Sequence, residues 1–309
     1  MHYTSQRGVA IITALLIVAI ATTISINIST RLQLDVRRTA NLLTADQAWQ
    51  YTRAAESWSR RILEQDRKDN SIDDYSENWA IELPPLPVEG GWIRGKLTDL
   101  QACFNLNTLV QGNAVSALAV ERFRRLLSNL DLRPELADAV IDWLDADVNT
   151  TIPDGAEDGY YMNLEQPYRS ANSAMLSPSE LRLIKGFEDP AVYNRLLPHV
   201  CAFGVATPIN INTATAEVLR SLSNKLTDSD AAAIIEQRTQ TAFTDVNDFL
   251  SFNNLKTIID KPDNLSVNSD YFMLESESKI GQVQVRMYSV IYRDNTGHTT
   301  VLARTQGVY

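Results

Sequence analysis

"RGVAIITALLIVAIATTISI" occupies residues 7–26, and how it is read decides how the rest of the chain is read. Residues 9–30 carry no charge, and the stretch begins close to the start of the sequence. A cleaved secretion signal has an apolar core of roughly 7–15 residues followed by a small-residue cleavage site. This stretch is longer, and the first proline and the next glycine after Gly8 come only at Pro84 and Gly90. At a rise of ~1.5 Å per residue, an uncharged run of 22 residues crosses the roughly 30 Å hydrocarbon core of a bilayer. A retained membrane helix therefore fits its length better than a removed signal.

Beyond the apolar run, Leu32, Val36, Ala40, Leu43, Tyr51, Ala55, Trp58 and Ile62 recur at helical spacings. Arg31, Asp35, Arg37, Arg38, Arg53 and Glu56 fall mainly off that stripe. The pattern predicts one unbroken helix to about residue 65, a rod of ~80 Å. A membrane helix followed by a separate core helix is the alternative. Counting basic residues beside the span sets Arg7 against Arg31, Arg37 and Arg38, which by itself points the C-terminal part to the cytoplasm.

At 309 residues, 44% hydrophobic and 21% charged, the chain can bury the core of one large domain or two ordinary ones. A net charge of −10 disfavours binding to nucleic-acid phosphates and suits divalent cations or protein partners. From Gly281, "GQVQVRMYSVIYRDNTGHTTVLARTQGVY" alternates as β, with Val283, Val285, Met287 and Ile291 on one face and a turn at 293–298. Residues 271–278 read as the strand before it, and 90–108 supply one or two more. Between them lies a helical block, with amphipathic segments at 114–130 and 133–147. It also holds a capping box at Ser177, Pro178 and Glu180, closed by Gly186. The expected class is α+β. A long N-terminal helix (9–30 and its amphipathic half 31–69) packs on a small antiparallel sheet (88–112 and 268–309), with an all-α domain (113–267) inserted between strands.

"FNLNT" (104–108) matches "ININT" (209–213), a faint internal repeat. The second copy resembles helix-hairpin-helix proteins that bind the DNA backbone. Its turn, "SNKLTDSD", has no glycine and carries aspartates, so the amide approach to a phosphate is lost and a structural helix pair remains. Cys103 and Cys201 are the only cysteines; they permit one disulfide outside the cytoplasm or two buried thiols.

The most chemically suggestive stretch is "DWLDADVNTTIPDGAEDGYY" (142–161). Asp142, Asp145, Asp147, Asp154, Glu157 and Asp158 crowd there with no Lys or Arg among them. Hard cations such as Ca²⁺ take six to eight oxygens at ~2.3–2.6 Å. Asp145, Asp147 and Asn149 copy the start of an EF-hand loop, but no glycine stands at its sixth position and Glu157 comes one residue late. An irregular calcium loop and a solvated acidic loop both fit these residues.

"QRG" followed by "VAIITALL" resembles the leader of type IV pilin-like proteins. That resemblance implies a leader at residues 1–8, cut by a prepilin peptidase between Gly8 and Val9, and an apolar helix kept as the assembly rod. The family usually has glutamate at the fifth mature residue, where this chain has Thr13. A carboxylate in lipid needs a partner. In pilins that partner is taken to be the N-terminal ammonium of a neighbour, so Thr13 suits a subunit with no neighbour ahead.

"WLDAD…DGAEDGYY", "SPSELRLIKGFEDPAVYNRLLPHV" and "PININTAT", in this order, resemble the K-type minor pseudopilin of the bacterial type II secretion system. The resemblance implies a pilin-type helix and sheet, and a tip position above I- and J-type partners with an H-type subunit below. It also implies initiation of the filament on an inner-membrane platform, methylation, and export of folded proteins. Two calcium ions are implied in the α-domain. Carried over, their candidate ligands are Asp145, Asp147, Glu157 and Asp158 first, then Asp142, Asp154 and Asn172. It also implies a single-pass inner-membrane protein with a periplasmic globular part, against the charge count. The rival reading is a membrane-anchored periplasmic calcium-dependent binding module that does not polymerise.

No G-x-S-x-G, P-loop, G-x-G-x-x-G or C-x-x-C occurs, and His2, His199 and His298 stand at no metal or catalytic spacing. Paired carboxylates serve glycosidases, but that chemistry needs a cleft rather than a crowded loop. The chain is not expected to be an enzyme.

Overall fold

The computed structural model describes residues 7–82 and 84–307. Residues 1–6 of the expected leader lie outside the described residues. Helix α1, Arg7–Asp69, runs unbroken for 63 residues, ~95 Å. Its apolar half is exposed all round. Among the described residues it is the one helix long and apolar enough to cross a membrane. Hydroxyls within it bond back to the preceding turn: Thr13 Oγ1 donates to Val9 O at 3.1 Å, Thr22 to Val18 O and Ser25 to Ala21 O at 2.8 Å. These hydroxyls are thus satisfied inside the helix, as lipid requires.

The half that meets the rest of the protein uses only part of the expected apolar stripe: Ala55 is buried there, and Tyr51 and Ile62 are half-buried against core clusters. Ala48, Thr52, Ala55, Glu56, Ser59, Leu63 and Asp66 are buried, whereas Leu32, Val36, Leu43 and Trp58 stay exposed. Small polar residues of the sheet explain this. Ser278 donates to Ala48 O at 2.7 Å and Ser289 to Glu56 Oε2 at 2.8 Å, while Arg304 makes a two-pronged pair with Glu56 at 2.7 and 2.9 Å. Ala and Ser let the backbones approach, and the buried charge is matched by a cation.

The sheet has five strands: β1 (Leu86–Val88), β2 (Gly91–Asp99), β3 (Tyr271–Ile280), β4 (Val283–Arg293) and β5 (Thr299–Gln306). They pair antiparallel in chain order. Leu97, Phe272, Leu274 and Ile291 pack against Leu63 and Trp79. The sheet is therefore a meander interrupted once, between β2 and β3.

The interruption begins earlier than the expected boundary at residue 113. Residues 100–112 leave the sheet: Phe104–Asn105 pairs in parallel with Val200–Cys201. Phe104, Leu106 and Leu109 join the core of the α-domain with Phe123, Leu126 and Trp143. The alternating apolar pattern reads as strand, but Asn105 Oδ1 accepts the Asn107 amide at 3.1 Å and folds the chain into a 3₁₀ turn. Helices α2 (Ala117–Asn129) and α3 (Leu136–Leu144) follow.

The faint repeat is a repeat of bonding. Asn210 Oδ1 accepts the Asn212 amide at 3.0 Å, as Asn105 does for Asn107. Asn107 exchanges two bonds with the Met175 backbone at 2.8 and 2.9 Å, and Asn212 does so with Phe243, both at 3.0 Å. Ile209–Asn210 pairs in parallel with Leu265–Ser266, matching the first copy. In the second copy Arg238 donates to Ile211 O and Ala214 O, both at 2.7 Å, so this cation is spent on the fold.

Polar groups fasten this α-domain to the far end of α1 and the sheet. Asp99 accepts from Ser269 Oγ at 2.6 Å, Thr213 Oγ1 at 2.5 Å and Asn210 Nδ2 at 3.0 Å. Tyr75, just past α1, donates to Thr213 O at 2.9 Å. Cys103 and Cys201 are bonded, with Cα atoms 5.8 Å apart.

Candidate metal centre

The acidic loop leaves the end of α3 and returns through a short helix, α4 (Asp158–Tyr161). Aromatic packing pins both ends: Trp143 meets Tyr161 edge-on at 5.4 Å and Tyr161 stacks on Tyr168 at 5.3 Å. Asp142, fully buried, accepts the Thr151 amide at 3.0 Å and closes the loop on itself. Gly155 passes so close that a Cβ there would lie 2.2 Å from Asp142 Oδ2. Asp145 ends α3 in an extended conformation, and Asp147 Oδ1 accepts the Asn149 amide at 2.7 Å.

This path brings Asp145, Asp147 and Glu157 together, with one oxygen of each within 4.8 Å of the others. Asp145 Oδ1, both Glu157 carboxylate oxygens and Asn172 Oδ1 are buried and accept no hydrogen bond. Asn172 is tied to the same place, since its Nδ2 donates to Asp147 O at 3.3 Å. Glu157 precedes α4 but does not cap it. Burial, then repulsion from Asp142, Asp145, Asp147 and Asp158, pushes Glu157 up to about 7. Burial, then Asp147 and Asp142, pushes Asp145 up to about 6. Orphaned buried oxygens that repel one another are costly on their own, and all of them are hard donors. They fit a Ca²⁺-type ion, with Asp145, Asp147, Glu157 and Asn172 as the side chains that would hold it.

The other expected ligands have partners of their own. Asp154 is paired at 3.0 Å with both Lys185 and Arg133, cations that sequence distance hid from the loop. The hydrogen bond from Lys185 and the charges of both hold Asp154 below the usual carboxylate range. Asp158 Oδ1 accepts the Ser170 amide at 3.0 Å, and Asp142 is spent on Thr151. Of the expected ligands, Asp145, Asp147, Glu157 and Asn172 are thus the ones the loop gathers around buried oxygens without a hydrogen-bond partner.

A second acidic group, Asp66, Asp73 and Glu77, is already satisfied. Arg293 pairs with Asp66 and Asp73, and Glu77 accepts from Asn70 and Trp79.

A long helix laid on an antiparallel meander, apolar at its free end, is the architecture of a pseudopilin; here it carries an acidic α-domain. A family model described as type II secretion system protein K matches residues 102–205, and a second of the same description matches 209–268. The chain belongs to the type II secretion system protein K family. It is thus a minor pseudopilin, a structural component outside any known enzyme family. The protein K of Pseudomonas aeruginosa is 36% identical, the alignment covering 98% of this chain and 93% of that protein. That of Aeromonas hydrophila is 35% identical, covering 98% and 97%. A crystal structure of the GspK-GspI-GspJ complex from the enterotoxigenic Escherichia coli type 2 secretion system contains a chain that superposes with a TM-score of 0.79 at 30% identity. The match covers 88% of this chain and all of that one. The two family segments meet where the structural repeat divides, between Val205 and Ile209.

Proposed function

We propose that this protein is the tip subunit of the type II secretion pseudopilus. It starts filament assembly, stands above I- and J-type minor pseudopilins with an H-type subunit below, and so supports export of folded proteins across the outer membrane. One observation carries this reading: the α-domain is mounted at the end of α1 opposite the apolar half, through Tyr75 to Thr213 and Asp99 to Asn210. A bulk mounted on the distal end suits a subunit that has none above it. Thr13 agrees, because its hydroxyl is satisfied within its own helix and needs no neighbour's ammonium.

In this reading a prepilin peptidase cuts between Gly8 and Val9, the new end is methylated, and α1 passes from the inner membrane into the filament at the assembly platform. The globular part lies in the periplasm, and a calcium ion at Asp145, Asp147, Glu157 and Asn172 holds the acidic loop closed. Mass spectrometry of the mature protein tests the processing: it should start at Val9, and Gly8→Val should leave it uncut. Co-expression with the I- and J-type subunits tests the tip position. A stable three-way complex supports it, and a chain that stays alone with both favours the non-polymerising calcium module.

A further inference from the structure

The α2 helix begins at a cavity of about 130 Å³ at the junction of the two repeats. Phe104, Asn105 and Thr108 line it from the first repeat, and Thr207, Ile209 and Asn264 from the second. Ser116 and Ala119 of the first turn of α2 also line it. Ser116 caps the helix, its Oγ accepting the Ala119 amide at 3.3 Å, and the first turn holds no acidic residue. The opening amides of this 13-residue helix have no partner within it, and the helix dipole makes that end positive.

Arg122 lines the same cavity and is 1% exposed. Its Nη2 donates to Lys261 O at 2.8 Å and Asp263 O at 2.9 Å, but its buried Nε meets no acceptor. Among the described residues it has no carboxylate partner: Glu121 is taken by Arg125 and Lys261, and Asp138 by Arg124. Burial, reinforced by repulsion from Arg125 and only partly offset by the charges of Asp263 and Glu121, pushes Arg122 down to about 10. A buried guanidinium with an unpartnered Nε and a positive helix end, both lining one polar cavity, leave a positive charge that nearby carboxylates offset only in part. The hydroxyls of Ser116 and Thr207 already accept, from the Ala119 amide and Asn105 Nδ2, which leaves their hydrogens to donate.

We propose that this cavity binds one small oxyanion, a free phosphate, sulfate or small carboxylate, held by Arg122, the first turn of α2 and the hydroxyls of Ser116 and Thr207. The anion ties the two repeats together, since residues of both line the cavity. Independent of the calcium reading, it calls for a test insensitive to that site.

The full chain in detergent is unfolded by heat in sodium phosphate, sulfate, acetate and chloride at matched ionic strength. The expected result is a rise in melting temperature that saturates with one or more oxyanions and exceeds that in chloride; Arg122→Gln weakens the midpoint about ten-fold or more. The effect persists in Glu157→Gln, which excludes calcium sequestration. Thr207→Val weakens it too, and decides the matter if Arg122→Gln does not fold. Melting that follows ionic strength alone in all four salts overturns the proposal and leaves the cavity to water. So does an anion effect that Thr207→Val leaves intact, or one that disappears in Glu157→Gln.

Discussion

Arg293 Nη2 donates to both carboxylate oxygens of Asp73, at 2.5 and 2.6 Å, across 220 residues of sequence. Its Nη1 reaches Asp66 at 2.8 Å and Leu63 O at 3.2 Å. One guanidinium, 1% exposed, thus joins the end of α1, the segment after it and β4. Removing it strands two buried carboxylates. Arg293→Met should lower the stability of the globular part by about 3–5 kcal/mol in urea unfolding. Adding Asp66→Asn and Asp73→Asn to it should recover part of the loss, because the stranded charges go with it.

Glu56 should carry an acid-dependent share of stability. Burial alone would raise it, but hydrogen bonds from Arg304 and Ser289 and the charge of Arg304 outweigh this and hold it below the ordinary range. A depressed carboxylate stabilises the fold above its unfolded value and loses that contribution as pH falls through its folded one. Wild type should therefore exceed Glu56→Gln most clearly at neutral pH, with the gap closing below about pH 4. Asp99 runs the other way: burial pushes it up to about 6, so its contribution weakens as pH rises towards that value. Melting curves of Glu56→Gln and Asp99→Asn from acid to neutral pH separate the two slopes.

At the acidic loop, calcium and chelator should reverse the order of two proteins. With calcium at about 100 times its dissociation constant, wild type gains about 2.7 kcal/mol that Glu157→Gln lacks. In EDTA, Glu157→Gln should melt at or above wild type, since it removes one of several mutually repelling charges. Asp154→Asn should keep the full response to calcium, because Asp154 serves Lys185 and Arg133. A loop indifferent to both additives would show the carboxylates to be solvated only.

Cys103 and Cys201 close a span of 98 residues that contains the acidic loop and α2 to α4. Reduction, or Cys103→Ser with Cys201→Ser, should cost the α-domain about 2–5 kcal/mol. The loss should appear in proteolysis of the α-domain while the five-stranded sheet stays protected.

The long helix, the meander, the helical block and the acidic loop are all legible in the amino-acid sequence, because each rests on a local pattern. Absence of Gly and Pro keeps α1 unbroken through residues 9–69, period-two alternation marks β4, and crowded carboxylates announce themselves. Short motifs in a fixed order also carry the family resemblance, and the family models and full-length relatives agree with it.

Only the tertiary structure decided which groups stand free. Hydrophobic periodicity chose the stripe through Trp58, yet the sheet buried Glu56 instead, because Arg304 lies 248 residues away and neutralises it there. Asp154 reads as a ligand in the sequence, but Lys185 and Arg133 close on it, and Asn172 supplies one of the orphaned oxygens by folding onto Asp147. The order of elements was determined by short-range pattern. The chemistry of each charge depended on what distant chain was brought against it, since burial and pairing are properties of contacts.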